Sequence, residues 1–211
     1  MNPKKIFYEN TAKTIIGNLE KRQMEGFYCA DKEAAVIKVK ELIGKGASVG
    51  FGGSMTLNET GIMDLIKNGD YDLIDRDKAF TKEEQKAVYG RMINADYFLM
   101  STNAITLDGE LVNIDGRGNR LAFLVFGPEN VIVVTGMNKV VSDVESGYKR
   151  VKDIASPPNT VRLNKKTPCA STGRCGDCFS SDCICSQTVI TRRSSVPGRI
   201  KVILVGEELG Y

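Results

Sequence analysis

The sequence predicts an α/β fold, a three-layer arrangement in which one sheet carries helices on both faces. Two observations predict it. Short, wholly apolar runs such as 131–134 and 202–205 lack any polar alternation, the mark of strands buried on both sides. Between such runs lie longer segments with apolar residues at helical spacing, several of them opening on capping residues. The length of 211 residues suits a single domain over 1–211, and the ordinary apolar fraction of 42% is enough for a sizeable core.

The elements follow in order. Asn2-Pro3 places a cap and a first-turn proline before a helix to about residue 24, with Ile6, Phe7, Ile15, Ile16 and Leu19 near helical spacing. Residues 27–29 read as a short strand, and Asp31 caps a helix that Gly44 and Gly46 end. Residues 47–51 form a buried strand running into Gly52-Gly53-Ser54-Met55-Thr56, where Thr56 and Glu59 have the spacing of a capping box. A strand over 71–74, a helix capped at Thr81 and a strand over 97–100 come next. A polar loop, 101–109, precedes a strand over 111–114, a turn over 115–119 and a helix over 121–126. A strand over 131–134 leads to a helix over 142–154, which Pro157-Pro158 is expected to stop. Strands over 160–163 and 200–205 complete the pattern, with 164–199 a cysteine-rich insertion between them.

That insertion holds Cys169, Cys175, Cys178, Cys183 and Cys185, five of six cysteines, among small turn-forming residues that form no core of their own. Three readings stay open: a thiolate metal site, a disulfide or redox set, and reduced thiols without a role. The chain has no histidine, so an all-protein centre must be rich in thiolate. Cys169, Cys175, Cys178 and Cys185 are the expected ligands, for an iron–sulfur cluster or Zn²⁺, in a spacing that matches no standard finger or ferredoxin. Cys183, one Ile away from Cys185, is expected outside the set, and Cys29 reads as a small core residue.

The net charge of +3 does not argue for nucleic acid, and the basic residues Arg192, Arg193, Arg199 and Lys201 read as a solvated face. No stretch approaches the roughly 20 apolar residues that cross a bilayer. A soluble, cytoplasmic protein with neither nucleic-acid nor membrane partner is expected, a compartment that favours metal over disulfide for clustered thiols.

In open α/β sheets ligands bind beyond the carboxyl ends of the strands. Three loops stand there. Gly52, Gly53, Ser54 and Thr56 offer close backbone approach and hydroxyls to an anionic group, in neither a Walker nor a dinucleotide pattern; the plain alternative is a glycine turn with a helix cap. The span from Ser101 to Arg120 concentrates Asn103, Asp108, Asn113, Asp115, Asn119 and Arg120, more than one turn needs. Asn138 and Lys139 follow a third strand, where Lys139 would neutralise an anion. Without histidine, acid–base work falls first to Glu59 and Asp115, whose plain roles are capping and turn formation, while Arg120 has the geometry to fork a carboxylate.

Taken together, residues 52–61, 102–120, 126–132 and 136–141 resemble the LUD-domain family, the lactate-utilisation proteins. The cysteine segment and the ending over 199–211 look like a cysteine-bearing branch of it. The resemblance covers nearly the whole chain. It implies a fold similar to ribose-5-phosphate isomerase, glucosamine-6-phosphate deaminase and the CoA transferases. It also implies organic-acid utilisation of the lactate type, a homodimer and an iron–sulfur partner protein, and it fixes no reaction. In the enzyme reading, which the polar loops support, the protein acts on a small phosphorylated or carboxylated metabolite by isomerisation, transfer or redox chemistry. The other class of function is a non-catalytic ligand sensor or an accessory electron-transfer subunit with a structural metal centre. A fainter likeness links 103–113 to a loop of methylthioribose-1-phosphate isomerase, in which an aspartate takes part in catalysis. Asn103 stands in that position here, and an amide is no general base.

Overall fold

A computed structural model describes residues 2–211. Helix α1 (Pro3–Lys21) opens on Asn2, whose side chain accepts the Lys4 N–H at 3.0 Å. After β1 (Glu25–Cys29), Asp31 caps α2 (Lys32–Leu42) by accepting from the Ala34 N–H. Strand β2 (Ser48–Phe51) leads into the short α3 (Met55–Glu59), and a left-handed Gly61 separates it from α4 (Ile62–Asn68). Then come β3 (Asp72–Ile74), α5 (Lys82–Met92) with a complete Thr81–Glu84 capping box, and β4 (Tyr97–Met100). Strands β5 (Ala104–Thr106) and β6 (Leu111–Asp115) form a hairpin, followed by α6 (Asn119–Val125), β7 (Asn130–Gly136), β8 (Val140–Val141) and α7 (Val144–Arg150). A π-helical stretch, Val151–Ala155, carries α7 directly into α8 (Ser156–Arg162). The chain continues through α9 (Pro168–Thr172), β9 (Gln187–Thr191) and β10 (Ile200–Val205).

Six strands pair in the order β1-β10-β7-β4-β2-β3, every pairing parallel. Successive residues of one strand point to opposite faces, so two cores form. On one side Val202 and Leu204 of β10, Val131 and Val133 of β7 and Phe98 of β4 pack with α1, α5 and α6. On the other, Ile203, Val205, Ile132, Val134 and Leu99 pack with α2, α3 and α4. Burial on both faces is why these strands read as unbroken apolar runs.

A second sheet, absent from the expected layout, has the order β8-β5-β6-β9 and mixed directions. Ile105 and Leu111 join it to the first core. The polar loop expected over 101–109 therefore contains a strand, and the cysteine-rich insertion supplies another, β9, which pairs with β6 from Asp115↔Gln187 to Leu111↔Thr191.

Three local expectations change. The strand expected over 160–163 is the end of α8. Prolines at the first turn of a helix interrupt nothing, because those N–H groups have no intrahelical acceptor, and the π-stretch accommodates the join. The capping box expected of Thr56 and Glu59 does not form: Ser54 is the cap, its hydroxyl accepting the Leu57 N–H at 3.3 Å, and Glu59 reaches elsewhere. Arg199 is not part of a solvated face. It donates to the carbonyls of Phe123, Leu124 and Pro128 at 2.9, 2.7 and 2.9 Å, closing the carboxyl end of α6.

Replacing that guanidinium leaves three carbonyls without their donor. Arg199→Met is expected to lower stability by about 1–3 kcal/mol, seen as a lower urea midpoint at unchanged slope. An unchanged midpoint would show that water caps α6 equally well.

Candidate functional site

Strands β2, β4 and β7 are neighbours, so the loops beyond their carboxyl ends meet. They form one wall of a cleft of about 550 Å³. The opposite wall comes from the turn between β6 and α6, the end of α8 and the cysteine segment. Arg76, Arg117, Arg120, Lys139, Arg162 and Lys165 face only Asp115 and Asp182 in this lining, so the cleft favours anions.

Lys139 is the least solvated charge in it, 4% exposed. Its Nζ donates to Thr56 Oγ1 at 2.8 Å and Ser101 Oγ at 3.1 Å, and no carboxylate stands within ion-pair distance among the described residues. Burial pushes the ammonium down to about 7, with repulsion from Arg150 and Arg120 adding to the effect and Glu59 opposing it. Gly210 covers this pair of contacts at φ +59; a Cβ there would stand 2.8 Å from Thr56 Oγ1 and 3.3 Å from Lys139 Nζ. Only glycine takes both that conformation and that proximity without strain.

Arg120 does not work as a free fork. Its Nη1 donates to Ser101 O and Asn113 Oδ1 at 3.0 and 3.2 Å, and its Nη2 to Asn103 Oδ1 and Ile114 O at 2.9 and 3.0 Å. Nε stands 3.6 Å from Asp115 Oδ2. Arg150, buried behind the same loop, donates to Asn103 O at 2.7 Å and Asn138 O at 3.1 Å. The two guanidiniums fix the Asn103 loop from inside. Asn103 keeps its amide nitrogen for the cleft, since its Oδ1 already accepts from Ile114 N and Arg120. Asn113 is wholly buried in the network, its Nδ2 without a partner among the described residues; Asp115 Oδ2 also lacks a hydrogen bond.

Of the residues singled out from the sequence, Gly53, Ser54, Thr56, Asn103 and Lys139 line the cleft on one side. Asp115, Asn119 and Arg120 line it on the other. Gly52 lies behind, where a Cβ would meet Arg120 Cγ at 3.3 Å. Asp108 is not brought there: it is exposed on the β5–β6 turn, its carbonyl accepting from Arg22 Nε at 2.6 Å. Glu59 and Asn138 hold the segment 206–211 instead. The Glu59 carboxylate accepts the Gly210 N–H at 2.6 Å, and Asn138 accepts the Leu209 N–H at 3.1 Å while donating to Gly210 O at 3.3 Å. Sequence reading passed over Ser101, although it directly follows a strand. Arg150 gave no signal, because a helical arginine looks like any surface residue.

Cys29 sits in the α2-side core, and burial pushes its thiol up to about 11. The other five thiols, Cys183 included, line a second cavity of about 410 Å³. The Cys185 N–H donates to Cys183 Sγ at 3.3 Å, and burial pushes the Cys185 thiol up to about 11. Cys169 lies 3.2 Å from Thr167 Oγ1 and 3.5 Å from Thr160 Oγ1. All six cysteines are free, and among the described residues no three Cys, Asp or Glu side chains converge on a single metal position.

An all-parallel six-stranded sheet with helices on both faces and a cationic cleft at its carboxyl edge defines an open α/β fold. The chain belongs to the LUD-domain family, whose model matches residues 12–205. A DUF162 family protein from Deinococcus radiodurans is similar in fold, at 14% identity and a TM-score of 0.52 over 94% of this chain and 98% of that one. A ribose 5-phosphate isomerase from Plasmodium falciparum overlaps 53% of this chain and 52% of its own, at 19% identity and a TM-score of 0.33. No curated protein matches the sequence.

The Lys139 environment sets a pH dependence. Its folded pKa of about 7 lies below the ordinary 10.5, so between those values the unfolded chain holds a proton that the native state has released. Stability from this group rises with pH across that window and falls as pH drops toward 7. The wild-type-minus-Lys139→Met difference in unfolding free energy is expected to show this rise. A flat difference would mean that water reaches the ammonium.

Proposed function

We propose that the cleft binds a small phosphorylated or carboxylated metabolite at the carboxyl ends of the sheet, in the setting of organic-acid utilisation of the lactate type that LUD membership suggests. The observation that carries this reading is Lys139: a buried ammonium with hydroxyl partners only, opening on a cleft. A cation so placed is destabilised until an anion replaces the lost hydration. Thr56 and Ser101 orient Nζ, and the Asn103 amide supplies a neutral donor beside it. Arg76, Arg117 and Lys165 draw an anion to the mouth.

The reading gives two carboxylates different roles. Asp115, a partly exposed carboxylate of the cleft lining beside Arg120, is the residue assigned to accept a proton from a bound hydroxyl. Glu59 is a tether of the 206–211 segment, which lies over Lys139, and acts on the site through that segment.

Titration calorimetry with lactate, pyruvate, ribose 5-phosphate and inorganic phosphate tests the reading. At least one is expected to bind saturably, and Lys139→Met is expected to weaken it by tenfold or more, since a charge-assisted contact contributes about 1.5–3 kcal/mol. Above pH 7 binding should take up a proton onto Lys139, seen as a heat that varies with the buffer. Failure of all four anions to bind, or undiminished binding to Lys139→Met, would refute the assignment.

A further inference from the structure

The thiol cavity lies directly behind the anion cleft. Ile114, Ser156, Cys183, Ile184 and Ser186 belong to the linings of both. The π-helical stretch Val151–Ala155 runs along this partition, with Ala155 on the cleft and Lys152 on the thiol side. Such π-helical turns concentrate at functional sites.

The segment around the cavity has little of its own to order it. No helix or strand occurs from the end of α9 to the start of β9, and no disulfide closes it. Phe179 stands fully in solvent. Asp177, within the Cys175–Cys178 turn, holds a left-handed φ of +50 that a non-glycine residue adopts at a cost. Yet four thiols from this irregular chain, with Cys169 from α9, face one space. The alternatives differ in what they ask of the sulfurs. A single tetrahedral ion needs them about 2.3 Å from one point, and the side chains do not converge in that way. A cluster binds each thiolate at a different iron, so its ligands stand apart around a volume.

We propose that this cavity is an iron–sulfur cluster site, ligated by Cys169, Cys175, Cys178 and Cys185. These four line the thiol cavity alone, whereas Cys183 also borders the cleft and accepts the Cys185 N–H, so it serves the partition. Each ligand thiol releases its proton as it binds iron. Lys152, ion-paired to Asp177 on the cavity wall, offsets part of the negative charge of the thiolates. The proposal stands on the thiol cavity and is independent of what the cleft binds.

The full chain, purified and reconstituted anaerobically with ferrous iron and sulfide, tests it. Wild type is expected to hold iron and acid-labile sulfide in equal amounts, with a broad visible absorbance bleached by dithionite. Cys178→Ser and Cys175→Ser should each lose most of both, with far-ultraviolet dichroism showing the fold retained. Cys183→Ser and Cys29→Ala should keep them. Trace iron in the wild type, one zinc per chain without sulfide, or full iron in both Cys175→Ser and Cys178→Ser would overturn the proposal, as would loss of iron in Cys183→Ser with the fold intact.

Discussion

The structure turns on the crossing from the six-stranded sheet to the four-stranded one. Beyond Met100 the chain leaves a parallel ladder, passes Ser101 and Asn103, and enters a hairpin with another direction. Backbone groups at such a crossing are buried without ladder partners, and burial without a hydrogen bond is costly. Two guanidiniums satisfy them, Arg120 from the start of α6 and Arg150 from the end of α7. Those cations then act on Lys139, which shares their dry surroundings and is repelled by both. The junction that lets the sheets coexist is therefore what leaves an ammonium short of counter-charge at the cleft.

How far the fold was legible follows from how local each cause is. β10 and β7 announce themselves because burial on both faces requires apolar residues throughout their central runs, 202–205 and 131–134. The caps at Asn2, Asp31 and Thr81 are contained within four residues and were readable for that reason. The second sheet was not. Gln187–Thr191 is a partly exposed edge strand with a polar composition, and its partner in β6 lies more than seventy positions away. Nothing local distinguishes such a strand from a loop. The error over 160–163 had another cause: a proline pair marks a helix end and a helix start alike, and only the packing of α8 decides between them.

In the site, residue types were easier to read than their partners. The loops after β2, β4 and β7 were placed correctly by the rule for parallel sheets, and they meet. The roles inside them moved. Arg120 looked like a free clamp, yet each of its terminal nitrogens donates to two protein oxygens. Glu59 looked like an acid–base group and holds Gly210. Lys139, read as the partner of an anion, is buried rather than solvated. Burial and hydrogen-bond saturation decide which polar residue is available to a ligand, and both arise from contacts distant in sequence.

The cysteine segment gains a second meaning from its position. Its end, β9, completes the small sheet, so the segment is built into the fold rather than appended to it. Its middle divides two spaces with different chemistry, one lined by cations and hydroxyls and one by thiols. The partition is thin: Ile114, Ser156, Cys183 and Ile184 present surface to both sides. The two spaces share packing as well as a wall, since Cys185 and Tyr211 both pack against the cluster of Ile114, Val151 and Ala155. Tyr211 itself lines the cleft, beside the Gly210 that covers Lys139. The packing around Cys185 is therefore continuous with the cleft lining, through one aromatic residue and one tethered turn.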